Sequence, residues 1–151
     1  MTAHQTGQEA GSPLNADVLV CGGGIAGTMA AVAAARRGAR VLLAERYGFL
    51  GGNATAGAVA QFNSWQTANG RQVISGLAAE VVDRLRQYGA AGAHERFVMS
   101  TGHKMDRVEY SPEVLKLVLD DMVTEAGVQP ILHTMLLGVG LIVGFAALAF
   151  R

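Results

Sequence analysis

Six residues, Gly22-Gly23-Gly24-Ile25-Ala26-Gly27, restrict the fold of this chain more than any other feature. They spell G-x-G-x-x-G and stand between an apolar run, Asp17 to Cys21, and an Ala-rich, Pro-free stretch, Ile25 to Arg37. The run before them has the composition of a strand buried in a parallel sheet. The stretch after them predicts a helix that closes at Gly38 with Arg36 and Arg37 in its last turn. Ala39 to Glu45 predicts a second strand ending on a carboxylate. Strand, glycine turn, helix and strand fit within about 30 residues, the size of one βαβ unit. In such a unit the first glycine makes the tight turn, the second lets the backbone touch a ligand, and the third lets the helix pack close on the strand. Gly22, Gly24 and Gly27 take these places, and the free N–H groups of Ile25 and Ala26 stand at the positive end of the helix, where phosphate binds. Glu45 follows about 20 residues on, where an acid accepts the hydroxyls of an adenosine ribose and repels a 2′-phosphate. The unit therefore predicts an α/β, Rossmann-like domain that holds a dinucleotide without a 2′-phosphate.

Further along, Tyr47 to Asn69 is rich in Gly and Ala with little periodicity. From Gly76 a helical pattern resumes, with Leu77, Val81, Leu85 and Tyr88 on one face and charges off it. Gly89 to His103 reads as a loop. A second clean helix starts with Ser111 as N-cap, Pro112 at its first position and Glu113 in the first turn, and stops at Gly127. Val128 to Leu137 predicts a third strand, and Pro130 suits an edge.

The stretch Arg46 to Gly57 contains Leu50-Gly51-Gly52-Asn53 and Thr55-Ala56-Gly57. With Asp17 to Gly27, Glu45-Arg46 and the helix-and-strand region from Glu113 to Val139, it resembles the FAD-dependent oxidoreductases whose flavin domain follows the glutathione-reductase plan. Within these it is most similar to the group related to the flavoprotein of heterodisulfide reductase. The resemblance spans about residues 16 to 139, and its early half is the more specific. It implies that Gly51, Gly52, Asn53 and Thr55 run along the pyrophosphate and ribityl chain, with Arg46 beside the acidic residue and Leu136 near the adenine edge. It also implies FAD as cofactor, a small-molecule substrate in intact relatives, and hydride transfer performed by the flavin. The chain then supplies an incomplete, cofactor-binding portion of such an enzyme. The alternatives are a non-catalytic ADP- or NAD-binding module and a membrane-tethered fragment.

Composition narrows the rest. Lys+Arg and Asp+Glu balance at 12 each, so no excess of positive charge is available for nucleic acid. The single cysteine, Cys21, cannot build a disulfide, an iron–sulfur cluster or a zinc site alone, and it reads as a small buried strand residue in a cytoplasmic protein. Residues 1–15 are polar and small and read as a disordered lead-in without a secretory signal. Trp65 and Phe62 read as core aromatics, His103, Lys104 and Asp106 as a solvated loop, and His133 as a structural residue within the third strand. No metal spacing and no catalytic constellation emerge. Residues 140–151 depart from the resemblance: relatives turn through a polar hairpin, whereas Gly140 to Phe150 is apolar with no turn signal. This tail reads as a truncated or frame-shifted end. Its alternatives are a core segment or a membrane association through 135–150, a stretch just short of the ~18–20 residues that span a bilayer.

Overall fold

The computed structural model describes residues 14–67, 69–142 and 145–150, from residue 140 onward as backbone. Most of the expected lead-in, residues 1–13, lies outside the described residues. The first unit forms as the glycine pattern requires: β1 (Val18–Cys21), α1 (Ile25–Ala35) and β2 (Val41–Ala44). β1 pairs in parallel with β2, from Val18 opposite Val41 to Cys21 opposite Ala44. The later elements are β3 (Gln61–Asn63), α2 (Leu77–Gln87), β4 (Glu95–Val98), β5 (Lys104–Glu109), α3 (Pro112–Ala126), β6 (Gln129–Ile131), β7 (Leu136–Ile142) and β8 (Phe145–Phe150). β2 lies between β1 and β6 in a three-stranded parallel sheet.

β2 is buried at every position, as expected of a strand covered on both faces. Its Val41 and Leu43 share one core with Ala31 and Val32 of α1, Val81 and Leu85 of α2, and Leu115, Val118, Leu119 and Met122 of α3. Each fully buried Leu or Val contributes about 1.5–3 kcal/mol of hydrophobic stabilisation. α3 has the ends read from sequence: Ser111 Oγ accepts from the Val114 N–H, Pro112 opens the helix, and Gly127 closes it at φ 75°. A charged clamp ties the three helices together at the surface. Both terminal guanidinium nitrogens of Arg36 donate to Glu80, at 2.7 and 2.8 Å, and Arg84 bridges Glu80 and Glu125.

Several expectations are corrected. The stretch 89–103 is not one loop, because β4 pairs antiparallel with β5, which also pairs with β3. Charged residues hide this sheet from a hydrophobic pattern, yet they find partners on it: Arg107 meets Glu95 of the neighbouring strand at 3.4 Å and Glu109 of its own strand at 2.9 Å. Asp106 is not in a solvated loop. It is buried in β5, and its carboxylate accepts from the backbone N–H groups of Trp65 and Gln66. The third strand is shorter than 128–137. β6 covers only three residues, after which the chain turns, and His133 sits exposed in that turn at φ 53° rather than within a strand. Pro130 does occupy an edge strand. Cys21 is exposed, because the end of β1 emerges from the sheet. Tyr88 is exposed at the end of α2, outside its apolar face.

The tail also differs from expectation. Despite the lack of a turn signal, β7 and β8 pair antiparallel from Leu136–Phe150 to Ile142–Phe145. Extended backbone must find partners, and two adjacent apolar segments supply them to each other. Among the described residues no helix is long and apolar enough to cross a membrane.

Candidate dinucleotide site

The carboxyl ends of β1 and β2 meet the amino end of α1, the place where open parallel sheets bind ligands. Gly22 turns the chain there at φ 101°, a conformation that L side chains rarely adopt. A Cβ on Gly27 would sit on the carbonyl oxygen of Gly22, so only glycine lets α1 lie this close to the strand. Gly24 has a different reason. Its backbone is ordinary extended chain, φ −63° and ψ 173°, and a Cβ there would meet no protein atom within 4 Å. The space beside Gly24 is free for something that is not the protein.

No side chain caps α1 and no acid stands in its first turn, which leaves the N–H groups after Gly24 and the positive end of the helix dipole open. α3 shows the contrast, with both Ser111 and Glu113 at its start. The second glycine stretch lies directly against the first. Gly51 N–H donates to Gly23 O at 2.7 Å, and a Cβ on Gly52 would come within 3.1 Å of Gly24 Cα.

Glu45 is 6% exposed and anchors the turn. Its Oε2 accepts from Gly23 N–H at 2.6 Å and its Oε1 from Tyr47 N–H at 2.9 Å. Each carboxylate oxygen retains a second lone pair for a ligand hydroxyl. Thr28 Oγ1 holds the same turn from below by donating to Gly23 O.

Two clefts flank the glycine turn. One, of about 240 Å³, has Gly22, Glu45, Arg46 and Leu136 of the expected residues on its walls, with Cys21, Thr134 and Met135. The other, of about 360 Å³, brings Gly24, Ile25, Ala26, Gly51 and Asn53 together with Phe62 and Tyr110. Gly27, Gly52 and Thr55 stand behind these walls. Thr55 points inward and donates to Leu50 O at 2.7 Å, shaping the second glycine loop. Arg46 lies at the surface, its guanidinium over the Tyr47 ring at 4.6 Å. Sequence reasoning misses Thr134 and Met135, which no local signal marks, and Tyr110, whose ring stacks on Phe62 at 4.3 Å. Burial pushes the Tyr110 phenol up to about 12, while its hydroxyl donates to the carbonyls of Ala54 and Val59.

The sequence pattern of the family described as FAD dependent oxidoreductase matches residues 17–144. The chain belongs to this family. Its cofactor is therefore FAD, and its α/β, Rossmann-like fold with a parallel sheet is that of FAD-binding oxidoreductases. Solved structures with this fold include THI4 from Thermovibrio ammonificans, at TM-score 0.53 and 19% identity over 88% of this chain and 45% of that one. A geranylgeranyl bacteriochlorophyll reductase-like protein from Thermoplasma acidophilum superposes at TM-score 0.58 with 20% identity, over 90% and 34% of the two chains. L-amino acid deaminase from Proteus vulgaris gives TM-score 0.55 and 15% identity, over 96% and 46%. This FAD dependent oxidoreductase chain thus spans less than half the length of each of the three. No curated protein matches it.

Proposed function

We propose that this chain is the FAD-binding portion of an oxidoreductase and that it holds the ADP half of the cofactor across the Gly22–Gly27 turn. The observation that carries the reading is Gly24. Neither backbone strain nor a protein contact explains a glycine there, whereas a pyrophosphate lying on the helix start does.

The residues fit the group. The N–H groups of Ile25 and Ala26 donate to the diphosphate, and the uncapped end of α1 stabilises its charge. Glu45 accepts the ribose hydroxyls with its remaining lone pairs and disfavours a 2′-phosphate by charge repulsion. Leu136 and Met135 give the adenine an apolar wall. Gly51, Gly52 and Asn53 border the path toward the flavin end, with Thr55 holding that loop in shape from behind. When bound, FAD supplies the hydride acceptor or donor for an organic substrate, and the protein supplies position and electrostatics.

The test is the visible absorbance of the purified chain after incubation with FAD and desalting, paired with titrations of FAD and of ADP. Retained flavin bands, with FAD bound more tightly than ADP, support the reading. A colourless chain that binds neither removes it, and equal affinity for the two reduces the site to a nucleotide module.

A further inference from the structure

Away from the cofactor, a turn ahead of α2 carries a reactive pair. Of the chain's asparagines, Asn15, Asn53, Asn63 and Asn69, only Asn69 stands directly before a glycine, Gly70. In such a pair the next backbone nitrogen can close a five-membered ring on the side-chain carbonyl carbon, and glycine has no Cβ to block the approach. Asn69 and Gly70 are both exposed. Thr67 N–H donates to Arg71 O at 2.8 Å and Gly70 N–H to Thr67 O at 2.9 Å. The second of these bonds has to open before the nitrogen attacks, and hydrogen bonds in exposed turns open at little cost.

The surroundings favour the attack. The Thr67 hydroxyl donates to Asn69 Oδ1, which draws electron density away from Cγ. Arg71 follows in sequence, and the Arg96 guanidinium lies against Gly70, with one nitrogen 2.7 Å from the point a Cβ would occupy. Neither arginine meets a carboxylate among the described residues. Their positive charge therefore stabilises the negative charge that develops on Gly70 N and on the amide oxygen. The other sites are held more firmly. Asn63 pairs with Arg107 in the antiparallel sheet, and the N–H of Ser64 after it donates to Asp106 O at 3.0 Å. Asn53 lies in the helical turn Gly52–Ala54 beside the glycine site, where Ala54 N–H donates to Gly51 O at 3.1 Å.

We propose that Asn69 is a site of spontaneous deamidation. Gly70 N bonds to Asn69 Cγ, the Cγ–Nδ2 bond breaks, and ammonia leaves with the proton that Gly70 N gives up. Nothing is oxidised or reduced. Solvent water then opens the cyclic imide. Addition at Cγ gives aspartate, and addition at the main-chain carbonyl of residue 69 gives isoaspartate, with the backbone rerouted through the side chain. Either product adds one negative charge to the turn against which Arg96 lies.

The full chain is aged at mildly alkaline pH and digested with trypsin, which releases residues 47–71 as one peptide carrying Asn53, Asn63 and Asn69. The expected result is a mass gain equal to the exchange of NH for O, located by fragmentation at Asn69 and growing at least tenfold faster there than at the other two. Asn69→Gln, whose longer side chain would have to close a six-membered ring, abolishes the gain. Arg96→Gln, a change at an exposed side chain, slows it at least threefold, with circular dichroism confirming the fold. No gain, a gain spread evenly over the three asparagines, a gain that persists in N69Q, or an unchanged rate in R96Q overturns the proposal. If R96Q does not fold, the comparison of the three positions in the unaltered chain decides.

Discussion

Glu45 Oε2 lies 2.6 Å from the backbone nitrogen of Gly23, a hydrogen bond that joins the end of β2 to the middle of the glycine turn. A buried carboxylate is thereby compensated by backbone donors, with Tyr47 N–H on its other oxygen. The same side chain that we propose accepts the ribose hydroxyls also sets the shape of the glycine turn.

Glu45→Gln separates these roles from the rest of the fold. The amide offers one acceptor to two N–H donors and leaves one of them facing an NH2 group. The expected cost is about 2 kcal/mol of stability, typical of a hydrogen bond to a charged group. Retention of FAD after desalting falls at least tenfold. A thermal melt together with the absorbance assay checks both effects, and an unchanged melting temperature contradicts the anchoring role.

Gly24→Ala and Gly27→Ala act in opposite ways although the two glycines belong to one motif. At Gly27 the new Cβ collides with the Gly22 carbonyl, backbone against backbone, which predicts a loss of about 3 kcal/mol or more and a Tm lower by about 6–12 °C. At Gly24 it meets no protein atom, so stability changes by less than about 1 kcal/mol while FAD binding is lost. Melting curves of the two variants, read beside their flavin absorbance, distinguish the packing glycine from the ligand glycine.

Acid weakens the helix clamp within a defined window. The hydrogen bonds from Arg36, then from Arg84, lower Glu80 from the usual carboxylate range near 4.5 to about 2. A depressed carboxylate contributes stability above its unfolded pKa and loses it as pH falls through the folded value. The clamp is therefore intact above about pH 4.5 and lost progressively toward pH 2. Glu80→Gln lowers the melting temperature at pH 7 and flattens its dependence on pH between these limits. An equally steep dependence in the variant contradicts the assignment.

Tyr110 behaves in the opposite sense at high pH. Burial raises its phenol to about 12, so the folded state holds the neutral form and loses that contribution as pH rises from about 10 through 12. An ultraviolet titration of the folded chain should show Tyr110 resisting ionisation at about pH 11 and titrating on unfolding, beside Tyr88, which its hydrogen bond to Asp121 also raises. Tyr110→Phe removes its share of that resistant fraction.

Legibility from sequence follows the range of the interactions involved. The β1–α1–β2 unit and the ends of α3 are readable because their causes are local: three spaced glycines, an apolar strand, a Ser-Pro start and a Gly stop. The sheet of β3, β4 and β5 is not, because Glu95 and Arg107 become acceptable strand residues only once they meet across it. Asp106 escapes a local reading for the same reason, since its partners are the N–H groups of Trp65 and Gln66, 41 and 40 positions away. Thr55 falls among the cofactor residues by its place in the glycine-rich stretch, yet its hydroxyl turns to Leu50 O. Cys21 has a buried strand residue's composition but the exposure of a cleft wall, because it ends the strand at the open edge of the sheet.

The sequence by itself determined that a strand–glycine turn–helix–strand unit forms, because glycine positions, strand apolarity and the distance to Glu45 are properties of a single stretch of chain. Only the tertiary structure decided what each of those residues does. Packing of α1 on β1 made Gly27 obligatory, the return of the second glycine loop enclosed Gly24, and the approach of β2 placed the Glu45 carboxylate on Gly23. Contacts between segments far apart in the chain depend on how whole helices and strands pack, and no local pattern carries that information.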